Sequence, residues 1–94
     1  MSQDVVELHA IVKGLVQGVC FRATAQEHAV ALKLTGWVRN CSDGSVEIVA
    51  HGTKQELESL LSTLRANPGY GRVDSIDTTY RVIEASYTGF QIKR

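Results

Sequence analysis

Proline occurs once in 94 residues and cysteine only twice, so the chain is neither a proline-rich linker nor a disulfide-stapled scaffold. Cys20 and Cys41 form no CxxC pair and join no Cys–His cluster, which leaves no pattern for structural zinc. Aromatic residues amount to 6%, and ten basic residues balance ten acidic ones without a long basic run. Net charge therefore points to no nucleic-acid or membrane partner. An RNA-binding sheet would also set aromatics on adjacent central strands, whereas Trp37 and the tyrosines are scattered. No apolar run approaches the roughly 20 residues that span a bilayer. The N-terminus lacks the basic, apolar and small-residue succession of a secretory signal, so a cytoplasmic location is expected. What is present, 44% hydrophobic and 21% charged residues, fits one globular domain over residues 1–94 with one small core.

Hydrophobic periodicity divides the chain into seven segments. Val5 to Lys13 alternates, with Val6, Leu8, Ala10 and Val12 on one face and Glu7, His9 and Lys13 on the other; Val5 and Ile11 interrupt that polar face. From Cys20 to about Leu34 the period lengthens: Phe21, Ala25, Ala29 and Leu32 mark one face of a helix that Thr35–Gly36 should stop. His9 and His28 read as surface residues. Trp37–Arg39 is a short strand, 40–44 its hairpin connection with Asp43–Gly44 suited to a tight turn, and Val46–Ala50 the returning strand. Thr53 and Glu56 form a capping box ahead of a helix with a Leu57, Leu60, Leu61, Leu64 stripe, closed by Asn67–Pro68–Gly69. Val73–Ile83 reads as an edge strand, because Asp74, Asp77 and Arg81 interrupt it, and Phe90–Lys93 as a short final strand. The order strand, helix, strand, strand, helix, strand predicts a double split βαβ arrangement: an α+β sandwich with two helices on one face of a mostly antiparallel sheet.

The stretch GLVQGVCFR at 14–22 is the candidate site. It joins a strand to a helix, and its glycines allow backbone N–H groups to turn inward around an anion. Arg22 falls in the first helical turn, where the macrodipole disfavours a cation unless an anion is bound. It also offers a planar fork of donors suited to phosphate or carboxylate. A surface turn followed by a solvent-facing arginine is the bland alternative. Asn40, at the end of the Trp37 strand, reads equally as a turn former that caps its own backbone. Periodicity alone does not say whether the two segments meet.

Read together, GLVQGVCFR at 14–22 and GWVRNCSDGSVE at 36–47 resemble the two signatures of the acylphosphatase family, and the resemblance runs over nearly the whole chain. It implies a ferredoxin-like sandwich that hydrolyses the carboxyl–phosphate anhydride of acylphosphates, without metal or cofactor, as a monomer. Its phosphate cradle corresponds to Val16, Gln17, Gly18, Val19, Cys20, Phe21 and Arg22, and its water-orienting asparagine to Asn40. Ser42 would brace Asn40, as Ser or Thr does in such relatives. Inorganic phosphate would be the product and a competitive inhibitor. Hydrogenase-maturation proteins carry a similar domain ahead of cysteine-rich modules; this chain has none, so the free-standing enzyme is the expectation. A non-catalytic anion or acyl-phosphate binding module is the alternative, since it could use the same loop.

Overall fold

The computed structural model describes residues 5–83 and 87–93. Its elements are β1 (Val5–Leu15), α1 (Phe21–Ala31), β2 (Thr35–Asn40), β3 (Val46–Thr53), α2 (Lys54–Ala66), β4 (Arg72–Val82) and β5 (Phe90–Lys93). The five strands form one sheet in the order β4-β1-β3-β2-β5, antiparallel except for the β2–β5 pair. The first four follow the 4-1-3-2 order of the ferredoxin-like double split βαβ arrangement, as the element order predicts. β5 adds a parallel edge beside β2.

Alternation sorts the sheet into two chemically distinct faces. Leu8, Ala10, Val12, Val38, Ile48 and Ala50 are fully buried beneath the helices. They meet Phe21, Ala25 and Ala29 of α1 and the four-leucine stripe of α2. The Thr53–Glu56 capping box is formed in both directions, satisfying two backbone donors at the start of α2.

The other face carries charge, and part of it is closed. Glu7 is buried, with His51 Nε2 donating to Oε1 at 2.9 Å and Arg81 Nε to Oε2 at 2.6 Å. The Tyr87 backbone N–H donates to His51 Nδ1 (3.3 Å), leaving Nε2 as the ring nitrogen that donates to Glu7. Burial pushes the Glu7 carboxyl up, but the bonds from His51 and Arg81 outweigh it and hold the group below its ordinary value. Glu47 follows the same pattern: burial is outweighed by bonds from His9 (2.6 Å) and Arg39 (2.6 Å). His9 is thus a part-exposed strand residue bonded to Glu47.

Several boundaries move for identifiable reasons. β1 continues two residues past Lys13 because a register shift between Lys13 and Gly14 lets Gly14 and Leu15 pair with Val73 and Arg72. α1 stops at Ala31, earlier than Thr35–Gly36 suggests. Lys33 adopts φ 60, and the Leu34 and Lys33 N–H groups bond back to Ala29 O and Val30 O. This is a Schellman closure with lysine where glycine is usual. Gly36 instead lies within β2, where a Cβ would collide with the Val49 carbonyl. β3 runs on through His51, whose polar side chain is satisfied by Glu7.

Candidate active site

The glycine loop is a short bridge pinned at both ends. Val16 and Phe21 are each 1% exposed, so the residues between them cannot drift from the core. Gly18 takes φ 77 and Cys20 φ 61, two left-handed residues flanking Val19. For Gly18 this geometry costs little; for Cys20 it costs on the order of 1 kcal/mol, a strain of the kind that gathers at functional sites. Cys20 is the N-cap of α1 but makes no side-chain cap, and the first turn contains no acidic residue. The leading N–H groups of α1 therefore lack the usual side-chain acceptors while carrying the positive end of the helix dipole. An uncapped helix start of this kind, next to two left-handed residues, is the arrangement in which an anion can supply the missing acceptors.

Two side chains lock this segment to neighbouring strands. The Gln17 amide donates from Nε2 to Cys41 O (2.7 Å) and to Ser45 O (2.8 Å), tying the loop to the β2–β3 hairpin. Arg22, half-buried, donates from Nη1 to Lys93 O at 3.0 Å, which orients its guanidinium against β5. Neither anchor is evident from the sequence. Gln17 stands inside the motif but invites a backbone reading, and the Lys93 contribution is a main-chain carbonyl, which any residue could supply.

The hairpin resolves part of the question about Asn40. Its turn is stapled by Asp43, whose Oδ1 accepts from both the N–H and the hydroxyl of Ser45. Those two bonds lower the Asp43 carboxyl below its ordinary range. Gly44 supplies the positive φ of 94. Asn40 pairs with Val46 in the ladder, lies on the same face of β2 as buried Val38, and is exposed. The backbone-capping role is thus filled by Asp43. Ser42 is exposed in the turn, and both cysteines are free thiols. Among the described residues, no group of three or more His, Cys, Asp or Glu is placed to hold a metal ion, and no helix is long and apolar enough to cross a membrane.

A family model described as acylphosphatase matches residues 8–92. The chain belongs to the acylphosphatase family. An acylphosphatase from Methylococcus capsulatus is 41% identical over 87 residues, covering 93% of this chain and 95% of that relative. The crystal structure of acylphosphatase from Bacillus subtilis superposes with a TM-score of 0.87 at 37% identity, covering 95% of this chain and 99% of that one. An acylphosphatase from Coxiella burnetii gives 0.86 at 36% identity, covering 96% and 94%. As an acylphosphatase-family domain, the chain has both signature segments at one end of its sheet, joined through Gln17.

Proposed function

We propose that this protein hydrolyses acylphosphates to carboxylate and inorganic phosphate, with the phosphoryl group held by the 16–22 loop and Arg22 and the attacking water positioned by Asn40. The observation that carries the reading is the Gln17 clamp, which joins the glycine loop to the hairpin that follows exposed Asn40.

The chemistry suits these groups. The carboxylate of an acylphosphate is already a good leaving group, so a covalent nucleophile and a general acid are dispensable. The demanding tasks are neutralising the equatorial oxygens and aligning water opposite the leaving group. Backbone N–H groups from Gln17 to Phe21 and the Arg22 fork serve the first. Asn40 serves the second: its amide oxygen accepts a hydrogen bond from water and its NH2 donates to the phosphoryl group. The water oxygen forms the new P–O bond while the bond to the carboxyl oxygen breaks, its electron pair leaving with the carboxylate. Asn40 is not a base, so the water proton passes to a phosphate oxygen. Ser42 steadies Asn40 in this scheme, and the enzyme acts as a cytoplasmic monomer.

The test is turnover of benzoyl phosphate by purified, metal-stripped protein, with Asn40→Ala beside it. Wild type should turn over, with inorganic phosphate competing. Asn40→Ala should lose at least about two orders of magnitude in kcat, or roughly 3 kcal/mol, while still binding phosphate. Phosphate binding without turnover in wild type would identify an anion-binding module instead. A folded Asn40→Ala protein with near-normal kcat would refute the water-positioning role.

A further inference from the structure

The end of the sheet that carries the glycine loop also carries the turn between α2 and β4, and backbone packing holds the two together. A Cβ on Gly71 would lie 2.5 Å from the Leu15 carbonyl oxygen and 3.1 Å from Val19 Cγ2. Gly69, at φ 69, stands as close to α1: a Cβ there would lie 2.8 Å from Thr24 Oγ1. His28 of α1 adds a hydrogen bond from Nε2 to Asn67 O at 3.0 Å. The Tyr70 backbone is therefore held between two close approaches beside the loop, yet the residue is 89% exposed. Leu15, the last residue of β1, is 49% exposed. Arg72 is turned to Asp74 (2.8 Å), and Leu15 and Tyr70 each expose carbon surface at this end of the sheet.

The direction of displacement gives that surface a use. In the order β4-β1-β3-β2-β5, the Asn40 strand and the 67–71 turn lie on opposite sides of the loop that leaves β1. Water approaching from Asn40 expels the carboxylate on the far side, in line with the breaking bond. We propose that Leu15 and Tyr70 form the acyl-group subsite, favouring acylphosphates with an aromatic or bulky apolar acyl group over acetyl phosphate. This rests on the acylphosphatase reading and on Asn40 as the side of attack. Tyr70 supplies a flat ring with few rotamers to freeze, which suits it to contact an aryl group.

The experiment compares kcat/KM for benzoyl and acetyl phosphate in wild type, Tyr70→Ala, Tyr70→Phe and Leu15→Ala, with the phosphate inhibition constant of each. Tyr70→Ala should lower the benzoyl-to-acetyl ratio roughly five- to ten-fold, as expected for losing partial cover of an apolar group. The change should lie in KM, because the ring is contacted alike in ground and transition states. Tyr70→Phe should keep the wild-type ratio, Leu15→Ala should lower it about two- to five-fold, and phosphate inhibition should stay unchanged in all. An unchanged ratio in both alanine variants of an active enzyme would overturn the subsite and leave the acylphosphatase reading standing. Wild-type protein that hydrolyses neither substrate would overturn that reading, and the subsite with it.

Discussion

Replacing Gln17 tests whether the loop and the hairpin are held by the side chain that joins them. Gln17→Met keeps the length of the side chain and removes both donors. The two carbonyls it releases are not orphaned, because Ser45 O still accepts from Cys41 N (2.9 Å) and Cys41 O from Gly44 N (3.3 Å). The cost is therefore the net value of two half-buried hydrogen bonds, about 1–2 kcal/mol, without the larger penalty of a buried unsatisfied group. For a domain of this size that corresponds to a fall of roughly 5–10 °C in Tm. Gln17→Glu should be worse at neutral pH, because it turns a carboxylate toward two carbonyl oxygens. Its folded-state pKa is thereby raised above the unfolded value, so its deficit should shrink as pH falls and the introduced carboxyl becomes a donor. Thermal melts of the three proteins from pH 7 to pH 4, with kcat and phosphate inhibition at pH 7, give the comparison. The expected order of stability at pH 7 is wild type, then Gln17→Met, then Gln17→Glu, with phosphate binding weakened in both variants. A Gln17→Met protein within about 1 °C of wild type, binding phosphate normally, would show that the clamp holds nothing.

Arg22→Lys should reduce turnover nearly as much as Arg22→Ala, because lysine cannot keep one nitrogen on Lys93 O and present a planar fork to phosphate; near-normal phosphate inhibition in Arg22→Lys would refute this. Gly18→Ala and Gly36→Ala should differ sharply in denaturant unfolding. A Cβ at Gly18 meets open space and carries only the strain of φ 77, about 1 kcal/mol, whereas at Gly36 it strikes the β3 backbone and should cost at least about 3 kcal/mol. Gly18→Val should exceed Gly18→Ala, and phosphate binding should weaken in both while Gly36→Ala is read only by stability. Glu7→Gln should destabilise the fold at pH 7 by about 2 kcal/mol, since it removes the charged partner of His51 and Arg81. The depressed Glu7 pKa means this contribution is complete above about pH 4.5 and lost as pH falls through the folded-state value, so the gap between variant and wild type should close in acid. A gap that persists unchanged to pH 2–3 would contradict that assignment.

The elements that were legible were those whose local chemistry and burial agree. The leucine stripe of α2 with its capping box, the alternation of β1 and the charged edge of β4 appear where their patterns put them. The misjudged boundaries share another cause: a distant partner decided them. Lys33 can end α1 because Ala29 and Leu34 bury together, although nothing in lysine itself favours φ 60. His51 can continue a strand because Glu7, 44 positions away, satisfies it. At the candidate site the residue types in the loop were legible, and so was the positive φ of Gly18, but the left-handed turn at Cys20 was not, since cysteine seldom adopts it. Nor could spacing reveal that Asp43 takes the capping work a reader would give to Asn40.

The bond from Arg22 to Lys93 O spans 71 positions of the 94-residue chain. During synthesis the loop, α1 and the β2–β3 hairpin leave the ribosome well before β5 exists, and β4 must still pair with β1 across a comparable separation. A nascent chain can therefore display every residue of the glycine loop while its arginine has nothing to lean on. Orientation of that guanidinium is a late event of folding, set by the slowest, least local closures of the topology. Because β5 is a four-residue edge strand, it is also where the native protein should open first. Fraying there would release the Arg22 guanidinium from Lys93 O while the rest of the sheet stays closed to hydrogen exchange.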